Sequence, residues 1–124
     1  MGTPIFTVPV LAALLEGRHE IVGIISRPDR PIGRGQKVSA HPVKRYAVDH
    51  NLRIFQPPSL KSEEAQRQIS KLKPNIIIVA AYGKYIPNTI LDIPQYGCLN
   101  IHPSLLPKYR GPSPVSTAIL SGDD

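Results

Sequence analysis

The chain has 124 residues, 41% of them hydrophobic and 19% charged, which suits one domain with a single hydrophobic core. No apolar run approaches the roughly 18–20 residues that cross a bilayer, and the first residues lack the basic region and cleavage site of a signal peptide. The single cysteine, Cys98, excludes an internal disulfide and favours a reducing compartment, so we expect a cytoplasmic protein.

The net charge of +6 is concentrated in one segment of the chain. Between Arg27 and Arg53 there are seven Lys and Arg residues and two Asp, a local charge of +5. Clustered cations attract phosphates, so this segment is predicted either to contact a polyanion or to form a solvated basic face.

Helices and strands alternate along the chain. Helices are predicted at residues 8–17, 42–51, 61–73, 87–92 and 114–122. Strands are predicted at residues 20–26, 53–56, 75–81 and 98–101. Pro9 and Pro42 suit first helical turns, Gly17 ends a helix, and Ser62 is a candidate N-cap. The strands at 20–26 and 98–101 are short apolar runs and the strand at 75–81 is apolar throughout, which predicts that these strands are buried.

Residues 27–41 are rich in proline and glycine and show no periodicity. We interpret them as a loop of about fifteen residues, long enough to indicate a functional role. At the two ends of the chain, "MGTP" is typical of a strand-to-helix turn without a preceding strand, and "ILSGDD" stops where a turn begins. We therefore expect a fragment that is truncated at both ends.

This alternation predicts an α/β fold with a Rossmann-like, doubly wound and mostly parallel sheet. Ligands of such sheets bind beyond the carboxyl ends of the strands. Two strand ends carry suitable residues, "AAYGKYIP" at 80–87 and "NIHPSLLP" at 100–107. The sequence predicts a site at the edge that they share.

Asn100 and His102 have the i, i+2 spacing that places two side chains on the same side of a strand. An amide and an imidazole there can stabilise an oxyanion and move a proton, or they can be a structural pair. The leucines that follow can form an apolar wall for a flat ligand or plug the end of the sheet. The sequence contains no metal-ligand spacing, no G-x-G-x-x-G motif and no G-x-S-x-G motif.

The motif "NIHPSLLPKYRGPSP" resembles the signature of the folate-dependent formyltransferases. Together with "MGTP", "RPDRPIGRG", "AAYGKYIP" and "RGPSPVSTAILSGD", it is most similar to the members that act on methionyl-tRNA. The resemblance covers the whole chain. It implies a formyltransferase catalytic domain over residues 1–124, with the first strand, the end of the domain and a C-terminal tRNA-binding domain absent.

The resemblance implies transfer of a formyl group from 10-formyltetrahydrofolate to the amino group of initiator methionyl-tRNA by a monomer without a metal. It assigns three sets of residues. The implied catalytic residues are Asn100 and His102. The implied folate-binding residues are Ser104, Leu105, Leu106, Pro107, Gly83, Lys84, Tyr85 and Ile86. The implied tRNA contact is Arg34, supported by Arg27, Arg30 and Lys37.

One residue of the family pattern is missing. The resemblance places a catalytic aspartate beyond "SGDD", so we expect the chain alone to lack full activity. Two other functions stay open. One is formyl transfer to another amine, on a nucleotide sugar or glycinamide ribonucleotide, and the other is a non-catalytic RNA-binding module that uses only the basic segment.

Overall fold

The computed structural model describes residues 1–32 and 37–123. It contains five helices and six short strands in this part of the chain. The helices are α1 (Thr7–Glu16), α2 (Pro42–Asp49), α3 (Glu63–Lys71), α4 (Asn88–Leu91) and α5 (Pro114–Leu120). The strands are β1 (Ile24–Ile25), β2 (Arg30–Ile32), β3 (Lys37–Ser39), β4 (Ile54–Phe55), β5 (Ile77–Val79) and β6 (Cys98–Asn100).

The strands form two parallel pairs and one antiparallel pair. Strand β1 pairs with β4, and β5 pairs with β6, both in parallel. The first residues of the chain connect the two parallel pairs, because Gly2 N donates to Ile25 O at 3.0 Å and Ala80 N donates to Met1 O at 2.8 Å. Helices alternating with parallel strands confirm the predicted α/β class.

Proline, glycine and serine set the helix boundaries largely where the sequence predicts them. Pro42 occupies the first turn of α2, and the backbone N–H of Gly17, the C-cap of α1, donates to Ala13 O. Ser62 caps α3, because its hydroxyl accepts from Ala65 N at 3.3 Å. No helix in residues 1–32 or 37–123 is long and apolar enough to span a membrane.

Two sequence-based expectations are wrong. Residues 27–41 are not all loop, because β2 and β3 form an antiparallel hairpin with Arg30 opposite Ser39. Strands of three residues are too short to show a periodic pattern. Strand β6 is not buried, since Leu99 is 57% exposed and Asn100 is exposed. Among the described residues β6 pairs only with β5, so it lies at an edge.

Two apolar clusters hold the elements together. The larger packs β1 and β5 against α3 and α4, through side chains that include Ile69, Ile77, Val79 and Ile90. The smaller packs α1 and α2 on the other side of β1, around Leu11, Ile24 and Val43. Strand β1 therefore has a core on each side, through Ile25 and Ile24 respectively.

Gly2 lies where the backbone has no room for a side chain. A Cβ there would overlap the Thr7 methyl group and lie 2.6 Å from the Ala80 carbonyl oxygen. Neither neighbour can move freely, because the Thr7 hydroxyl donates to that same carbonyl at 3.0 Å.

We expect Gly2→Ala to lower the free energy of unfolding by about 1–3 kcal/mol, measured by urea denaturation, because overpacking must separate the segment from β5. Gly17→Ala is the matched control. A Cβ at Gly17 would lie 3.2 Å from the exposed His19 ring, which can move aside. Equal stability of the Gly2 variant and the unsubstituted chain would contradict the packing described here.

Candidate active site

Strands β5 and β6 end side by side. Val79 is paired with Asn100, and Ile101 N donates to Val79 O at 2.8 Å, which continues the pairing one residue further. The segments that follow, residues 80–86 and 101–107, therefore leave the sheet at the same edge. The predicted meeting of these two strand ends is confirmed.

Asn100 and His102 lie at this edge with different environments. Asn100 is exposed at the end of β6, and His102 is partly buried just beyond it. His102 Nδ1 is 2.9 Å from the Ser104 hydroxyl, which in turn donates to Lys108 O at 2.8 Å. The imidazole is thus held through one nitrogen, while the Asn100 amide faces solvent.

The loop after His102 exposes its apolar side chains. Leu105 is 88% exposed and Leu106 is 58% exposed, and Pro107 is also exposed. Large apolar side chains that are exposed together are a common feature of surfaces that bind a ligand or partner. Leu105 and Leu106 could therefore contact an apolar ligand at the sheet edge.

The far end of the same loop is anchored to the residues after α5. The Tyr109 hydroxyl donates to Asp123 Oδ2 at 2.6 Å, and Lys108 Nζ lies 3.2 Å from the same oxygen. The hydrogen bond from Tyr109, which has the larger effect, and that from Lys108 hold the pKa of the Asp123 carboxyl below its ordinary value. The loop is therefore fixed at both ends, at His102 and at Tyr109.

The residues after β5 point in three directions. Lys84 Nζ donates to Pro58 O at 2.8 Å, so its charge lies towards the loop before α3. Tyr85 is 73% exposed, whereas Ile86 packs against the larger apolar cluster. Of these three residues, only Tyr85 has a side chain that is largely exposed to solvent.

Gly83 brings the basic segment to this edge. Its φ of +73° is a conformation that favours glycine. A Cβ at Gly83 would lie 3.4 Å from Cζ of Arg27, so the guanidinium lies directly over the glycine. Arg27, predicted from the sequence to contact RNA, therefore lies against the segment predicted to bind folate.

A polar cluster that the sequence did not reveal supports the base of the hairpin. Asp29 accepts hydrogen bonds from Lys44 and, at 3.0 Å, from Gln56 Nε2. His41 Nε2 lies 2.9 Å from the Ser26 hydroxyl and 3.8 Å from Asp29. We name these five residues the hairpin-base cluster. They come from three segments of the chain, residues 26–29, 41–44 and 56, so no single local motif could have identified them.

Asp29 is ionised in this cluster. Burial alone would raise its pKa, but hydrogen bonds from Lys44 and Gln56, with the nearby charges of Lys44 and His41, hold the pKa below its ordinary value. Lys44 is therefore paired, and the basic segment presents less free positive charge than its composition indicates.

Two of the other predicted RNA contacts, Arg30 and Lys37, lie on the hairpin. Arg30 is exposed in β2, and Lys37 begins β3. Arg34 lies outside the described residues. The two described positions are opposite ends of one hairpin, since the pair Ile32 and Lys37 closes it.

An apolar cavity of the chain lies away from this edge. It has a volume of about 630 Å³ and is lined by residues of α1, α3, β1 and β5 and by the first residues of the chain. None of the predicted site residues lines it. Among the described residues there is also no group of three His, Cys, Asp or Glu side chains that could hold a metal ion.

Comparison with known proteins identifies the family of this chain. The family model described as formyl transferase matches residues 1–124. The chain belongs to the formyl transferase family. It is similar to proteins named methionyl-tRNA formyltransferase from Alkaliphilus oremlandii (49% identity), Pseudoalteromonas translucida (50%) and Dehalococcoides mccartyi (50%). These matches cover 99%, 99% and 100% of the chain, but only 40%, 38% and 40% of the relatives.

The chain therefore spans about two fifths of the length of the curated relatives that it matches. The matched part includes both strand ends of the candidate site and the basic hairpin. The resemblance read from the sequence motifs is confirmed at the level of the formyl transferase family.

In this formyl transferase chain, Asp29→Asn is expected to lower the free energy of unfolding by about 1–3 kcal/mol at pH 7, because hydrogen bonds to a charged partner are lost. The pKa of Asp29 is lower in the folded chain than in the unfolded chain, so its carboxylate stabilises the fold above roughly pH 4. That contribution disappears as the pH falls through the folded pKa. The difference between the two proteins should therefore shrink in acid.

Urea denaturation between pH 3 and pH 7 measures this difference. Asp49→Asn is the matched control, since Asp49 is exposed at the end of α2 and the same charge is removed. A difference for Asp29→Asn that stays constant down to pH 3 would contradict the assigned role of the carboxylate.

Proposed function

We propose that the protein of which this chain is part transfers a formyl group from 10-formyltetrahydrofolate to the amino group of initiator methionyl-tRNA. The observation that carries the proposal is the single sheet edge that combines Asn100, His102, exposed leucines and the base of a basic hairpin. Family membership and the names of the relatives support the same reaction.

The reaction needs an oxyanion to be stabilised and a proton to be moved. The neutral amine attacks the formyl carbon, and the carbonyl oxygen of the tetrahedral intermediate becomes negative. The exposed amide of Asn100 can donate a hydrogen bond to that oxygen. His102 accepts the proton that the attacking nitrogen loses and passes it to the folate nitrogen that leaves.

A flat, partly apolar folate fits the residues at this edge. Leu105, Leu106 and Tyr85 present large exposed side chains beside the polar pair, as a ligand of mixed polarity requires. We propose these three as the side-chain contacts of the folate. The side chains of Lys84 and Ile86 face other parts of the protein, so we propose that Gly83, Lys84 and Ile86 contribute their backbone to the folate site. Ser104 and Pro107 are proposed to shape the loop.

Recognition of tRNA is proposed to involve the hairpin. Arg30 is exposed and Arg27 lies at the sheet edge, so a phosphate backbone that crosses the hairpin would bring an attached amine towards His102. Arg34 and Lys37 remain proposed contacts from the sequence.

We further propose that the two parallel strand pairs and the segment Met1–Gly2 belong to one doubly wound sheet. Their order would be β4, β1, Met1–Gly2, β5 and β6, which supports a partial formyltransferase catalytic domain over residues 1–124. The sheet edge that carries the candidate site is then the carboxyl edge, where ligands of such sheets bind.

A stable analogue of 10-formyltetrahydrofolate should stabilise the chain. Ligand at one hundred times its dissociation constant adds about 2.7 kcal/mol to the free energy of unfolding, measured as a raised thermal midpoint by circular dichroism. Leu105→Asp should reduce the shift. Leu120→Asp is the control, because Leu120 is equally exposed, at 88%, but lies on α5. An unchanged midpoint for the unsubstituted chain would count against the folate site.

Binding of initiator methionyl-tRNA tests the hairpin. Arg30→Ala should reduce the slope of log K against log salt by about 0.7–0.9, the value for one lost phosphate contact. Arg67→Ala removes the same charge from α3, where Arg67 pairs with Glu63 at 3.4 Å, and should leave the slope unchanged. Equal effects of the two variants would indicate attraction by net charge only.

One alternative is favoured by a specific observation, the basic hairpin itself. An RNA-binding module without catalysis would show the salt dependence but no stabilisation by the folate analogue. The two measurements together therefore separate the enzyme from the module.

A further inference from the structure

Ser104 makes two contacts that fix the position of its single hydroxyl hydrogen. Its Oγ is 2.8 Å from Lys108 O and 2.9 Å from His102 Nδ1. A carbonyl oxygen only accepts, so the Ser104 hydroxyl must donate to Lys108. The Ser104 oxygen then offers only lone pairs to the imidazole, and Nδ1 of His102 must carry a hydrogen to complete the second bond.

We infer that Ser104 is a positioning residue that holds neutral His102 in the tautomer with hydrogen on Nδ1 and a free lone pair on Nε2. The bond made by one ring nitrogen decides the state of the other. This role differs from the folate contact that the sequence assigns to Ser104. It concerns the chain alone, and only its catalytic consequence rests on the proposed function.

The carbonyl that receives the Ser104 hydrogen is itself held in place. Lys108 N donates to Leu105 O at 3.0 Å, and Lys108 Nζ lies 3.2 Å from Asp123 Oδ2. Both bonds restrict the loop around Lys108. The acceptor therefore stays within reach of the hydroxyl, and the direction of the hydrogen-bond chain from imidazole to hydroxyl to carbonyl is maintained.

The tautomer matters for the proton in the proposed reaction. The N–H bond of the attacking amine breaks and an Nε2–H bond forms, which gives an imidazolium that still donates to Ser104 from Nδ1. The proton then leaves Nε2 for the departing folate nitrogen, and neutral His102 returns in its starting tautomer. With hydrogen on Nε2 instead, that nitrogen would have no lone pair with which to accept the proton.

Nitrogen-15 NMR of the imidazole tests the inference directly, because protonated and unprotonated ring nitrogens have distinct shifts. The His102 signals are assigned by their loss in His102→Gln. At a pH where the ring is neutral, we expect hydrogen on Nδ1 in the unsubstituted chain. Ser104→Ala should shift the tautomer ratio towards Nε2–H about five-fold, the effect of one net hydrogen bond.

Two further variants separate tautomer control from loop stability. Ser104→Thr keeps the hydroxyl and should keep the tautomer. Thr117→Ala removes a hydroxyl that bonds the Ser113 carbonyl at the same 2.8 Å but touches no histidine, and should leave the His102 signals unchanged.

Hydrogen on Nε2 in the unsubstituted chain would overturn the inference, even if Ser104→Ala failed to fold. An unchanged ratio in a folded Ser104→Ala would overturn it as well. Stabilisation by the folate analogue is measured on the same samples. Its absence with the tautomer as expected would count against the proposed function alone.

Discussion

The close approach of the first residues to two strands organises the described fold. Gly2 hydrogen bonds to Ile25 on one side, and the Met1 carbonyl accepts from Ala80 on the other. A side chain at Gly2 would collide with the backbone of Ala80, so this contact depends on glycine. Because β4 pairs with β1 and β6 pairs with β5, all four parallel strands depend on it for their relative placement.

That placement brings together the parts of the candidate site. The ends of β1 and β5 lie on either side of the first residues, so the chain after β1 meets the chain after β5. Arg27 follows the first of these strands and Gly83 the second, and the guanidinium lies over the glycine. Strand β6 then adds Asn100 and His102 at the edge beside β5.

Most secondary-structure elements could be predicted because proline, glycine or serine marks their ends and the strands are short apolar runs. The β2–β3 hairpin could not, since its pairing depends on a partner segment and not on a local pattern. The exposure of Leu99 also escaped prediction, because burial depends on neighbours in space. The motifs placed the polar pair and the leucines on the correct loop, and adjacency of the two strand ends followed from parallel topology.

The hairpin-base cluster and the Ser104 hydrogen bonds escaped prediction for a different reason. Both depend on side-chain contacts that only the folded backbone creates. The cluster joins residues from three segments of the chain, and the Ser104 bonds need the conformation of the loop after β6. Asp29 counted only as one negative charge in a basic segment, yet it pairs with Lys44 and helps to fix the backbone of Arg27, whose carbonyl accepts from Gln56 at 2.8 Å. Arg27 is thus held at its carbonyl by the hairpin base while its guanidinium lies on Gly83. Arg27 therefore contacts both the hairpin-base cluster and the segment proposed to bind folate, so it is the residue that connects the RNA side of the proposed site to the folate side.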